Sequence, residues 1–371
     1  MAKLFLTGAS GYIGGEALYA LVKSHPEYYI RALVRDAVKG HAISSAFPSV
    51  QVVEGNLDDA SILAAEVSRA DVVLHLAATG HLASVQAIHE TLKSRPKDQG
   101  EAHWVQISGA TALAAGELAD KSRVPGSASD VVFDDMDGIA KIREVIQKHP
   151  SRAVDNYMLS VAADTVQVNT ALLLGPMIYG QGRGPVNQRS IQIPALIKAT
   201  LQTGRGVQVG KGLSRWGNVH VEDVGSLVVR LVERAMEGNC TSEAWNLNGV
   251  YLLGVGEEVR VSRPLSQQGT SRSTKLTGIS CLQTFGAISR SVASTTAQKG
   301  LIPKGEEVDE LLGEKAETVL PHGTILFGTN ARGNAGRARQ VLGWVPRHEN
   351  GLEAEIPRVV DAEAKALGML D

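Results

Sequence analysis

At 371 residues the chain exceeds one ordinary hydrophobic core, which implies one large two-lobed domain or two domains. Hydrophobic residues make up 43% and charged residues 20%, a globular balance rather than a disordered one. The formal charge of −2 argues against nucleic-acid or anionic-membrane binding, since either favours a basic face.

Residues 3–7 (KLFLT) form a short apolar run that predicts a buried strand, and glycines separate it from helical periodicity over 12–24. Runs at 29–34, 51–54, 72–76 and 103–107 predict further buried strands, with helical spacing at 59–69 and 83–95 between them. Helices at 138–148 and 152–163 precede a strand at 167–174. Such alternation predicts a parallel α/β sheet. Residues 175–190 are rich in Gly and Pro and read as a long functional loop. A helix near 191–203, a VQVG run, a strand-like 217–221 and a helix over 222–237 follow. The tail predicts helices near 285–299, 333–342 and 351–366.

Residues 259–283 stand apart as an anomalous insert. They hold five serines and three threonines and follow neither the helical nor the strand period. Two readings fit: a mobile loop, and a translated retained intron. Val259-Arg260-Val261-Ser262 can begin with a GT donor, and Leu282-Gln283 can end in CAG. A mature transcript carrying these codons throughout would rule the intron out. The flanks join well, with Thr284 predicted to cap the helix that follows.

Cys240 and Cys281 are the only cysteines, which points to a reducing compartment, and no Cys/His cluster predicts a metal. The N-terminus lacks signal-peptide features and no apolar run is long enough for a bilayer, so a cytoplasmic protein is expected.

The strongest motif is Thr7-Gly8-Ala9-Ser10-Gly11-Tyr12-Ile13-Gly14, between the first strand and the first helix. Gly8 permits the tight turn, Gly11 lets backbone approach a pyrophosphate, and Gly14 allows close helix–strand packing. The helix N-terminus beside them offers free N–H groups to phosphate. At the end of the second strand, Arg35 suits the 2′-phosphate of NADP, while Asp36 suits the ribose of NAD if the strand runs one residue further. NADP is expected ahead of NAD.

These residues resemble extended short-chain dehydrogenases/reductases, the family of NAD(P)-dependent epimerases, dehydratases and reductases. TGASGYIG matches their cofactor loop and VVLHLAA (72–78) their fourth-strand signature. GPMIYG (175–180), WGNVHVEDVG (216–225) and ARGNAGRARQVLGWVP (331–346) match later segments. The resemblance implies a doubly wound Rossmann fold with a parallel sheet of about seven strands. Residues 1–180, with 216–239 returning, would form the NAD(P)-binding domain. Residues 181–215 and 240–371 would form a smaller C-terminal substrate lobe. It also implies that Asn56 and Leu57 lie near the adenine, that Ala77 and Ala78 line the groove, and that Pro176 and Ile178 touch the nicotinamide. Ser108 matches the active-site serine, and family habit implies a homodimer.

The family chemistry needs a tyrosine and, four residues later, a lysine on one helical face. Counting back from Tyr179 puts those positions near Gln147 and Ser151, with Pro150 interrupting the helix. Tyr157 is followed at the fourth position by Val161 and does not replace the pair. The chain is therefore similar to atypical, fungal-type relatives that keep the cofactor site and lose the dyad. Ser108, Tyr179 and His81 are the alternative acids expected near the groove. Lys148, His149 and Arg152 lie near the vacant positions. Asn187, Arg189, Arg215 and Trp216 are expected to contact a small-molecule substrate. Three functions follow: a reductase on a small carbonyl or sugar-like substrate, an epimerase-like enzyme that recycles its nicotinamide, or an inactive NADP(H)-responsive redox sensor.

Overall fold

The structure is a computed structural model that describes residues 1–164, 168–238, 242–255, 284–303, 307–348 and 351–370. The aperiodic stretch 259–283 lies outside the described residues.

The first half alternates strand and helix as its periodicity requires. Strands β1 (Lys3–Thr7), β2 (Tyr29–Val34), β3 (Gln51–Glu54), β4 (Val72–His75) and β5 (Ala102–Gly109) are separated by helices α1 (Tyr12–Ser24), α2 (Ala37–Ala46), α3 (Ala60–Val67) and α4 (Leu82–Lys93). Then come α5 (Ala115–Ala119), β6 (Phe133–Asp134), α6 (Ile139–Gln147), α7 (Ala153–Ala163), β7 (Val168–Gly175) and β8 (Met177–Tyr179). The second half holds α8 (Gln192–Thr203), β9 (Gly206–Val209), β10 (Asn218–His220), α9 (Val221–Met236), β11 (Val250–Leu252) and α10 (Phe285–Gln298). It closes with β12 (Val308–Leu311), α11 (Gly313–Val319), α12 (Gly323–Leu326), β13 (Gly333–Asn334), α13 (Arg337–Leu342) and α14 (Gly351–Ala366).

Seven strands form one sheet in the order β11-β7-β5-β4-β1-β2-β3, and every pairing in it is parallel. The order runs outward from β1 in both directions, so the carboxyl ends of β1 and β4 flank the crevice where the winding reverses. Helices cover both faces, which explains strands that are apolar on both sides. On one face Leu18 and Leu21 of α1 pack with Val224, Leu227 and Val228 of α9. On the other, Leu63, Val85, Ile88, Met158 and Leu159 form a core that continues into Leu196, Phe285 and Ile356 of the C-terminal lobe.

Three segments differ from the sequence reading. Residues 37–46 form a helix that periodicity does not reveal, because only Gly40 and Ile43 are buried. The expected helix over 333–342 begins at Arg337: Gly333–Asn334 pairs with Phe133–Asp134 as a short parallel ladder. Asp135 sets that start by accepting the Gly336 and Arg337 amides at 2.8 and 2.9 Å. Val250–Leu252, placed by sequence within the C-terminal lobe, is the edge strand of the main sheet beside β7.

The two C-terminal signatures meet in space. Trp344 donates Nε1–H to the Asp223 carbonyl at 3.1 Å and to Ser226 Oγ at 3.0 Å, while Asp223 Oδ1 accepts the Arg347 amide at 2.7 Å. No helix among the described residues is long and apolar enough to cross a membrane.

Candidate cofactor groove and active site

The glycine loop between β1 and α1 is built for a close approach. Gly8 has φ +86°, and a Cβ there would lie 2.7 Å from the Leu76 carbonyl carbon and 2.8 Å from Ala77 Cα. The loop thus rests on the end of β4, with Ala77 exposed and Ala78 half-buried beside it. Gly11 occupies the N-cap of the 13-residue α1 without a capping side chain, and no acidic residue stands in the first turn. The first amides of α1 therefore keep their donor capacity and positive dipole end for an anion. Ser10, Tyr12 and Ile13 are half-buried around them. Tyr12 donates to the Gly180 carbonyl at 2.7 Å, joining the loop to the chain after β8. Burial, reinforced by Glu16, keeps its hydroxyl protonated.

The next strand end separates the two cofactor signals. β2 stops at Val34, and Arg35 follows it exposed. Asp36 is the N-cap of α2: its Oδ1 accepts the Lys39 amide at 3.0 Å, which holds the carboxyl below its usual range. After β3, Asn56 and Leu57 are half-buried. Asn56 Oδ1 accepts the Asp58 amide at 2.7 Å, closing a local turn.

Ser108 is the penultimate residue of β5 at the same edge of the sheet, paired with Leu174 of β7 and 2% exposed. A Cβ on Gly175 would lie 3.3 Å from Ile178 Cδ1 and 3.5 Å from the Ser108 carbonyl, so Ser108, Pro176 and Ile178 share one corner. The residue that reaches this corner is Arg152. Its Nη2 donates to Ser108 Oγ at 3.2 Å and its Nη1 to Thr111 Oγ1 at 3.1 Å. Asp155 clamps the guanidinium, with Nε–Oδ2 at 2.7 Å and Nη2–Oδ2 at 2.6 Å. Asp155 is 1% exposed; burial raises its carboxyl above the usual range and the Arg152 charge offsets part of that.

Local sequence explains the arrangement. Pro150 separates α6 from α7, and Asn156 Nδ2 gathers the Ile146, His149 and Arg152 carbonyls, each at 3.1 Å. The turn thereby directs Arg152 inward, while Gln147, Lys148 and Ser151 are exposed. His149 sits near Gly116. Tyr157 faces α4, its hydroxyl 2.9 Å from His89 Nδ1. Asp155 and Asn156 are absent from the expected set. The available signal was an arginine at a helix start with an aspartate three residues on, a spacing that pairs the two side chains.

Several expected residues serve elsewhere. Tyr179 is 3% exposed and packs edge-on against His220 at 5.3 Å, and burial pushes its hydroxyl up to about 12. His81 caps α4 by accepting the Ser84 amide at 3.2 Å and meets Asp58 at 3.1 Å. Trp216 is 4% exposed, its indole N–H on the Thr329 carbonyl at 2.8 Å, so it belongs to the core. Arg189 is held by Glu363 at 2.7 and 2.8 Å, and with Asn187 it lines a cavity of about 410 Å³ against α14. Arg215 is half-buried, its backbone bridging Thr284. His220, Glu222 and His348 place three ligand-type atoms within 4.8 Å, a cluster the sequence reading lacks. There, His220 Nδ1 accepts the Glu222 amide and Arg183 pairs with Glu222 at 2.9 Å, so both are engaged in local structure.

A doubly wound seven-stranded parallel sheet, a glycine loop at its reversal point and a C-terminal lobe define an NAD(P)-dependent epimerase/dehydratase-like Rossmann fold. The chain belongs to the extended short-chain dehydrogenase/reductase family, in its atypical form. Its residues 2–91 match the NmrA-like family. Over 374 aligned residues it is 30% identical to Oxidase ucsJ from Acremonium sp., which covers 99% of each chain. Among solved structures it resembles the dTDP-glucose 4,6-dehydratase of Bacillus anthracis in complex with NAD, at TM-score 0.63 and 13% identity over 100% of this chain and 99% of that one. It also resembles the UDP-glucuronic acid 4-epimerase of Bacillus cereus in complex with UDP-glucuronic acid and NAD. That match has TM-score 0.61 and 16% identity over 98% and 99% of the two chains.

Proposed function

We propose that the chain is an NADP(H)-dependent reductase or epimerase-like enzyme that acts on a small carbonyl or sugar-like substrate without a tyrosine-lysine dyad. The observation that carries the cofactor choice is the division of labour at the end of β2. Asp36, the residue suited to a free ribose, is spent on capping α2, whereas Arg35 is exposed beside the groove and suited to a 2′-phosphate. Gly8, Ser10, Gly11, Tyr12, Ile13 and Gly14 would hold the pyrophosphate, Asn56 and Leu57 the adenine, and Ala77, Ala78, Pro176 and Ile178 the length of the dinucleotide. Bound there, the cofactor supplies hydride chemistry; the protein supplies orientation and electrostatics. The full-length relative is named an oxidase, which supports net redox chemistry over recycling.

The test is NADPH absorbance in the presence of a panel of aldehydes, ketones and keto-sugars. Protein-dependent and carbonyl-dependent loss of NADPH is expected. Tight NADPH binding without turnover of any carbonyl would instead favour the redox-sensing protein. That second reading is supported by Gln147 and Ser151, both exposed, near the positions that counting back from Tyr179 gives the dyad.

A further inference from the structure

The break at Pro150, close to the counted dyad positions, also turns a guanidinium toward Ser108. We propose that Arg152 and Thr111, held in place by Ser108 and Asp155, form a seat for the substrate's reacting oxygen, an aldehyde, ketone or enolate oxygen that carries or develops negative charge. The proposal rests on the cofactor reading above and names the group that stands in for the missing acid.

Three guanidinium N–H bonds are committed among the described residues, one each to Asp155, Ser108 and Thr111, and Nη2 also lies 2.6 Å from Asp155 Oδ2. One Nη1 hydrogen is left for a ligand. Thr111 accepts from Arg152 and keeps its own hydrogen to donate, whereas Ser108 accepts from Arg152 and turns its hydroxyl hydrogen to the Asp155 carboxylate. Two donors therefore remain, the Nη1 hydrogen of Arg152 at the N-cap of α7 and the Thr111 hydroxyl in the turn after β5. Preorganised donors of this kind stabilise charge that develops on oxygen, and a water-poor setting strengthens them. The Arg152 side chain is 18% exposed, shielded yet reachable, and the 1%-exposed Asp155 fixes its fork. Asp155 is thus a positioning residue.

The chemistry differs from that of a tyrosine in one respect. A guanidinium stabilises an oxyanion but does not surrender a proton in a protein. The proton that completes reduction comes from water, while the hydride goes to the carbonyl carbon and its π electrons to the oxygen seated here.

The test uses sulfite on the full chain saturated with NADP⁺. Sulfite bonds through its sulfur lone pair to the nicotinamide ring carbon that accepts hydride, and the adduct is read by its near-ultraviolet absorbance. Its sulfonate oxygens stand where the substrate oxygen would. Sulfite is expected to bind the wild-type complex more tightly than free NADP⁺. Arg152→Met should weaken it about tenfold or more, Arg152→Lys less, and NADP⁺ affinity should stay within about twofold. Because Arg152→Met strands a buried carboxylate, the pair Arg152→Met/Asp155→Asn, checked by thermal unfolding, should show the same loss. Equal sulfite affinity in wild type and the double variant would overturn the proposal, as would a wild-type complex no better than free NADP⁺. Failure of NADP⁺ itself to bind would sink the cofactor reading and this seat with it.

Discussion

Gly14 faces the carbonyl of Gly8 so closely that a Cβ on Gly14 would lie 2.2 Å from that oxygen. Gly8 lies in the turn and Gly14 in the first turn of α1 behind it, and the atom met is backbone, so no side-chain rotation can relieve the clash. Gly14→Ala is expected to destabilise the protein by about 2 kcal/mol and to weaken dinucleotide binding. Gly80, whose Cβ would meet nothing within 4 Å, provides the control: Gly80→Ala should stay within about 0.5 kcal/mol. Chemical denaturation of both variants checks the pair, and equal stability losses would contradict the packing account.

Glu16 and Arg183 make a second packing prediction. Glu16 is 0% exposed beneath the 181–190 loop, where it accepts the Arg183 amide at 2.8 Å and its Nε–H at 3.0 Å. Arg183→Met leaves that carboxylate buried without its cation, at a cost of about 3 kcal/mol. Adding Glu16→Gln should recover most of the loss. A double variant as unstable as the single one would place the cost in the arginine's packing instead.

His75 predicts a pH dependence. It is fully buried between Thr7 Oγ1 at 2.7 Å and Ser84 Oγ at 3.1 Å, and burial, aided by the charge of His81, pushes it down from 6.5 to about 4. The unfolded chain therefore takes up this proton first on acidification. The stability His75 contributes is present above about pH 6.5 and is lost as pH falls toward about 4, at up to about 1.4 kcal/mol per pH unit. His103, also pushed down to about 4 by burial, acts in the same direction, and Asp135, pushed up to about 6, acts in the opposite one. The difference between wild type and His75→Gln isolates the effect: the variant should lose less stability over that range. Parallel profiles would contradict it.

The sheet was legible because its strands are apolar on both faces and its turns carry glycine. Thr284 was legible too, as a cap that accepts the Ala287 amide at 3.2 Å. What escaped was set by contacts distant in sequence. The start of α13 depends on Asp135, about 200 residues earlier, and the edge strand Val250–Leu252 depends on a neighbour in β7. The glycine loop showed itself because its chemistry is consecutive. Ser108 was named by the resemblance, but its bond to Arg152 was not, because spacing shows that Arg152 can pair with Asp155 but not that the turn at Pro150 points both toward β5. Tyr179, His81 and Trp216 carried functional residue types, yet the fold uses them for packing and capping.

The central claim is a groove that takes NADP(H) through an exposed Arg35. The most direct measurement is a fluorescence titration of NADPH and NADH against wild type and Arg35→Asp. Wild type is expected to prefer NADPH, and Arg35→Asp to weaken NADPH about ten- to a hundredfold while sparing or improving NADH. Binding of neither dinucleotide by the wild-type protein would contradict the account at its root. An NADH preference untouched by Arg35→Asp would contradict its choice of cofactor.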